Sequence, residues 1–168
     1  MKSSISACPI PPQSEIHQRL IGADFYDCYE TEIPATNRSA LDLYLQVVTA
    51  TPAWINTLMA LRNRVVQLVG LKNLGHLGDF DAAKPASSYR TGDRVGIFSI
   101  VYLSEQEVIL GDSDKHLNVE VSVCKIQNKI TVGTVVHTKN TLGRVYMLFV
   151  APLHRRIVPA SLRQARFL

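Results

Sequence analysis

The first patterned stretch, Ala23 to Ile33 (ADFYDCYETEI), is rich in aromatic residues and closes at Pro34, which predicts a short strand. Ser39 then offers a helix cap before ALDLYLQVV, where Leu41, Leu45 and Val48 recur at helical spacing. A second helix starts at once: Thr51 caps it, Pro52 suits its first position, and Trp54, Ile55, Leu58, Leu61, Val65, Leu68 and Val69 repeat every three or four residues until Gly70. In this reading Trp54 is a packing anchor. Lys72 to Asp93 shows no sustained period and carries three glycines and a proline, so it reads as a long surface connection of the kind that often serves as a lid.

Beyond Asp93 the period changes to two. Arg94–Leu103, Glu105–Gly111, His116–Ile126, Lys129–Thr138 and Arg144–Ala151 read as five strands joined closely enough for an antiparallel meander. Leu117, Val119, Val121 and Val123 alternate with His116, Asn118, Glu120 and Ser122, which gives one buried and one wetter face. Gly96 and Gly133 suit bends inside strands. After Pro152 the spacing of Ile157, Leu162 and Ala165 is helical again, with Pro159 kinking or restarting the helix. The elements make an α+β chain of about six strands, with two helices after the first strand and one at the end.

Composition narrows the class. With 168 residues, 46% hydrophobic and 19% charged, the chain can bury a core without disulfides or metal, and it lacks the composition of a disordered protein. No unbroken apolar run reaches the length of a membrane span. Residues 1–22, with the Ser- and Pro-rich start, read as a flexible leader containing Cys8, and residues 23–168 as one domain. Cys8, Cys28 and Cys124 are odd in number and widely spaced, which suits free thiols in the cytoplasm. Charge is unevenly placed: residues 1–120 hold ten basic and fourteen acidic side chains, and residues 121–168 hold eight basic and none acidic. That asymmetry fits an anionic partner, or acidic and basic parts facing each other across the fold or a dimer. Nucleic acid is not expected, because the aromatics do not interleave with the basic residues.

ALDLYLQVVTATPAWINTLMALRNRVVQLVGLK, GDSDKHLNVEVSV and TVVHTKNTLGRVYMLFVAPLHRRIV resemble the uncharacterised bacterial family labelled domain of unknown function 2867, over about Ala23 to Leu162. The signature is PAW, then LRN, GDxDxHL, N-x-LGRxYM and an HRxIV close. The order of elements is similar to the helix-grip fold of the START and Bet v 1-like superfamily. That likeness implies a curved antiparallel sheet wrapped around a long C-terminal helix, with an apolar cavity between them. One departure is Pro152-Leu153-His154, where the family reads proline, aromatic, histidine.

The chemistry-bearing residues fall in two groups. GDSDKH places Asp112, Asp114 and His116 at a hairpin, either as ordinary turn formers or as a site where a carboxylate orients an imidazole. Arg144, Tyr146, His154 and Arg155 could gather at a pocket mouth around a carboxylate or phosphate. Asn140 reads as a turn residue in the left-handed conformation and His137 as a strand histidine with its bonds satisfied. No metal site and no cofactor is expected, and G-x-S-x-G, P-loop, G-x-G-x-x-G and H-E-x-x-H signatures are absent. The leading expectation is a binding protein for an apolar or amphipathic small molecule, with an anionic headgroup at Arg144, Tyr146, His154 and Arg155. The alternatives are a cyclase-, dehydratase- or aldolase-like enzyme using Asp114 and His116 as an acid–base pair, and a homodimeric interaction module.

Overall fold

The computed structural model describes residues 4–68, 70, 73 and 75–167. Val69 and Lys72, which end the expected second helix and open the expected loop, lie outside the described residues. Seven strands form one antiparallel open sheet: β1 (Ile5–Ala7), β2 (Phe25–Glu32), β3 (Arg94–Val95), β4 (Phe98–Leu103), β5 (Glu107–Ser113), β6 (Leu117–Ile126) and β7 (Lys129–Thr138), in the order β1-β2-β7-β6-β5-β4-β3. The helices are α1 (Ala40–Thr49), α2 (Ala53–Leu68) and the C-terminal α3 (Thr141–Gln164).

α1 begins where its sequence says. The Ser39 hydroxyl accepts from the Asp42 amide at 3.2 Å, and the Asp42 carboxylate accepts from the Ser39 amide at 3.1 Å, a reciprocal cap. Ala40, Leu41, Leu43, Tyr44 and Val47 then go into the core against β5 and β6. α2 differs from expectation, since only Ile55, Asn63 and Val66 are buried on it. Trp54 is 46% exposed and is not a packing anchor.

Three other expectations are corrected. Arg144–Ala151 is helix, not strand. Its short apolar run fits either period, and the decision comes from outside it. The Asn140 side chain accepts from the Gly143 amide at 3.0 Å and starts a helix, whose inward stripe runs through Gly143, Met147, Val158 and Leu162. Asn140 is therefore an N-cap in extended conformation, not a left-handed turn residue. Pro152 sits on the exposed face of that helix, where water can take the carbonyl its ring leaves unpaired.

The second correction is the leader. β1 pairs with β2, a 3-10 turn covers Glu15–Leu20, and Ile10 and Ile16 are buried against Cys28, Ile109 and Val135. Cys8 is therefore not in an unstructured tail; its amide donates to Cys28 O, and the two sulfurs lie 3.4 Å apart. Burial pushes the Cys8 and Cys28 thiols up, and Cys124 up to about 12, so all three stay in the thiol form. The third correction is the wetter face of the sheet. The N-terminal segment covers it, and Glu107, Glu120 and Ser122 are buried there.

Strand count follows from these changes: β1 is gained, Arg94–Leu103 splits into β3 and β4 around a turn in which Gly96 has φ +61°, and one expected strand becomes helix. A Cβ on Gly96 would also lie 2.3 Å from Leu77 O, so the residue serves both conformation and close approach.

Candidate functional site

Strict alternation along the strands decides what faces the helices. Val119, Val121 and Val123 of β6 and Val132 and Val136 of β7 point to one side, and α1, α2 and α3 cover that side incompletely. The result is a cavity of about 240 Å³ with an almost wholly apolar wall. α2 supplies Ile55, Met59 and Arg62, and α3 supplies Tyr146, Val150, His154 and Ile157.

One polar group of the wall is built from three elements. Asp27 on β2 and Thr134 on β7 are direct partners across the sheet, so their side chains rise together on the cavity side. His154 comes down on them from α3. Its Nδ1 lies 2.8 Å from Asp27 Oδ2, and its Nε2 lies 3.5 Å from Thr134 Oγ1. The Asp27 side chain is 9% exposed and that of His154 22%. Asp27 Oδ1 is buried with no hydrogen-bond partner among the described residues. The Phe25 ring meets the imidazole edge-on, with centroids 5.8 Å apart, and restricts its rotation. With the Nδ1 proton committed to the carboxylate, a neutral His154 presents the Nε2 lone pair toward Thr134 and the cavity.

At another part of the wall Arg62 Nε donates to Tyr146 Oη at 2.9 Å, with the guanidinium 5.5 Å from the ring centre, and so links α2 to α3. Arg62 Nη1 donates to the Oδ1 of buried Asn63, whose Nδ2 donates to Gly75 O and ties the loop to α2.

The expected site residues are divided by this geometry. Tyr146 and His154 line the cavity, as do Asp112 and Asp114. Arg144 and Arg155 do not; both are exposed, and Arg155 lies over the outer side of Phe25 with its guanidinium 5.5 Å from the ring centre. Asp114 and His116 do not pair through the carboxylate and ring. Asp114 Oδ1 accepts from the amides of His116 and Leu117, at 2.6 and 2.9 Å, which makes the carboxylate part of the turn. The buried His116 ring accepts at Nδ1 from Asn140 Nδ2 at 2.9 Å, beside the cap of α3. His137 Nε2 bonds Ile21 O at 3.1 Å, an ordinary strand histidine. Among the described residues no three His, Cys, Asp or Glu side chains gather as metal ligands.

Burial pushes the Asp114 carboxyl up, but the two amides and the charges of His116 and Lys139 together outweigh it and hold it below its ordinary value of 3.8. A carboxyl depressed on folding contributes stability that is fully present above its unfolded value and is lost as pH falls through the folded one. Urea midpoints are therefore expected to fall below about pH 4, and less steeply in Asp114→Ala than in the unchanged protein. The residual slope comes from Asp24 and Asp93, also lowered, each chiefly by a backbone amide.

A family model described as "Protein of unknown function (DUF2867)" matches residues 19–161. The chain belongs to this family. No curated protein and no solved structure matches it. The DUF2867-like motifs of the sequence now have places. In N-x-LGRxYM, Asn140 caps α3, Gly143 lets it approach His116, Tyr146 reaches the cavity and Met147 enters the core. LRN supplies Arg62 and Asn63, and the HRxIV close supplies His154. Asp27 and Thr134 were not legible as site residues. The one signal was parity: Asp27 is a charge on the same strand face as Phe25, whose ring is buried.

Proposed function

We propose that this DUF2867 protein binds a single apolar small molecule carrying a hydroxyl or carbonyl group, with the apolar body against the β6 and β7 valines and the polar group at His154. The observation that carries this reading is an apolar cavity with a His154–Asp27–Thr134 group set into its wall. A strongly anionic headgroup fits less well inside. Asp112 and Asp114 lie at the wall with Asp27 behind His154, and the His154–Asp27 pair has no net positive charge in either protonation state of the ring. The architecture we infer is a helix-grip one, with the sheet holding α3. The reduced thiols suit a cytoplasmic setting.

Native mass spectrometry of freshly purified protein, beside the same sample denatured, tests this reading. A small-molecule mass lost on denaturation, one per chain, is expected. A protein that is empty and takes up no neutral apolar probe would refute it.

The 2.8 Å contact favours a second reading, a proton-transfer enzyme in which Asp27 fixes the tautomer of His154 and Nε2 acts as base on the bound molecule. Such an enzyme would be purified empty. It would open 5-nitrobenzisoxazole, a neutral aromatic C–H acid, faster than its His154→Gln variant.

A further inference from the structure

Eight exposed large apolar side chains stand on two helices. Trp54, Leu61, Val65 and Leu68 form one stripe along α2, and Val145, Leu148, Phe149 and Leu153 another on the first half of α3. Leu68 is 87% exposed, Leu148 73% and Phe149 71%. The Arg62–Tyr146 hydrogen bond joins the helices between these stripes, with Leu61 and Val65 beside Arg62 and Val145 and Phe149 beside Tyr146. The two stripes therefore flank the side of the cavity that α2 and α3 close. A scattered exposed leucine needs no explanation, but apolar stripes side by side do.

Charge chooses the occupant. Besides Arg62, which is bonded in the cavity wall, α2 and α3 contain the exposed Arg64, Arg144, Arg155, Arg156 and Arg163 and no Asp or Glu. On α3 the apolar stripe gives way to arginine at Arg155 and Arg156, about one turn beyond Pro152 and two beyond Phe149. A second copy docked through this face would set these arginines against their own counterparts with no carboxylate on either helix to meet them. An anionic bilayer surface answers both features, because its headgroups pair with the arginines while its acyl boundary takes the apolar side chains.

We propose that the α2–α3 face docks on an anionic lipid surface, which places the cavity against the phase from which an apolar molecule would enter or leave. The docking lies in the interface, since no described helix is long and apolar enough to cross a membrane. The proposal draws its purpose from the binding reading above, but its test uses the protein without any cavity ligand.

Trp54 is the one tryptophan of the chain and stands on the docking stripe, so its emission reports contact directly. Vesicles of phosphatidylcholine with phosphatidylglycerol are expected to shift that emission to the blue and to carry the protein down on sedimentation. Vesicles of phosphatidylcholine alone are expected to do so at least tenfold less. Binding is expected to weaken about fivefold for each of Arg155→Gln and Arg156→Gln, and to fall away as salt rises from about 0.05 M to about 0.5 M. Leu148→Ser with Phe149→Ser, both at exposed positions, should abolish sedimentation and leave thermal unfolding unchanged. Equal binding to both vesicle types, or none to the anionic ones, overturns the proposal. So does a dimer in light scattering that the Leu148→Ser/Phe149→Ser protein fails to form, which would assign the face to a second copy. Vesicle binding by a protein that takes no cavity ligand would refute the binding reading alone; ligand uptake without vesicle binding would refute docking alone.

Discussion

Glu107→Ala is expected to lower the unfolding free energy by about 3 kcal/mol and the melting temperature by roughly 10 °C. The carboxylate is buried on the face of the sheet away from the cavity, 4% exposed. It accepts from the Glu15 amide at 2.7 Å, the Ile16 amide at 3.3 Å and the Ser122 hydroxyl at 2.6 Å. Alanine leaves the buried Ile16 amide and Ser122 hydroxyl without an acceptor, and each such orphan costs about 1–3 kcal/mol. The segment can escape part of that cost only by lifting off, which would expose Ile10 and Ile16. Limited proteolysis should therefore cut the variant first between residues 8 and 20. Glu107→Gln keeps an acceptor in place and is expected to lose about half as much. A change below about 1 kcal/mol in the alanine variant would show that the N-terminal segment is held by its apolar contacts alone.

Gly143→Ala has the second large expected effect, about 3 kcal/mol of destabilisation, against the preference of the helix itself. Inside a helix alanine is favoured over glycine by about 1 kcal/mol. Here its Cβ would lie 2.3 Å from His116 O and 3.2 Å from His116 C. That carbonyl cannot swing away freely, because it accepts from the Lys139 amide at 2.7 Å. The first turn of α3 must shift, carrying Tyr146 away from Arg62. Gly133→Ala is the control. Its Cβ would meet Cys28 Sγ and Ile10 at 3.7 Å, ordinary contact, so its cost should stay within about 1 kcal/mol. Denaturant unfolding of the two variants side by side decides the matter; equal stability would mean that α3 is free to slide over the β5–β6 turn.

These two positions also show where sequence reasoning stopped. The strands β2, β6 and β7 and the helix α1 were legible because their local signals agreed: aromatic residues closed by Pro34 for β2, a period of two for β6 and β7, and Ser39 ahead of Leu41, Leu45 and Val48 for the helix. The leader was not, because Ser and Pro near a terminus usually mean mobility, and the acceptor that holds it, Glu107, lies some ninety residues away. The segment from Arg144 to Ala151 reads as a strand by sequence because its apolar residues fit both periods, and only the Asn140 cap and the inward stripe continuing to Leu162 separate them. Of the residues singled out from sequence, Tyr146, His154, Asp112 and Asp114 line the cavity, whereas the Asp114 carboxylate is turned to the amides of its own turn and not to the His116 ring. The carboxylate facing His154 is Asp27, on a strand more than a hundred residues earlier. No short spacing encodes a contact of that separation; it exists because β2 lies beside β7 in the sheet.

Whether the cavity takes one apolar molecule at His154 is decided by a fluorescence titration with N-phenyl-1-naphthylamine, a neutral apolar probe, on the unchanged protein, Val150→Trp and His154→Ala. Saturable one-to-one binding is expected, lost when the tryptophan fills the space beside α3 and weakened about tenfold when the imidazole is removed. Leu148→Ser with Phe149→Ser, outside the cavity, should bind the probe as the unchanged protein does. Binding that survives Val150→Trp and disappears with the outer pair would place the probe on the helix surface and not at His154.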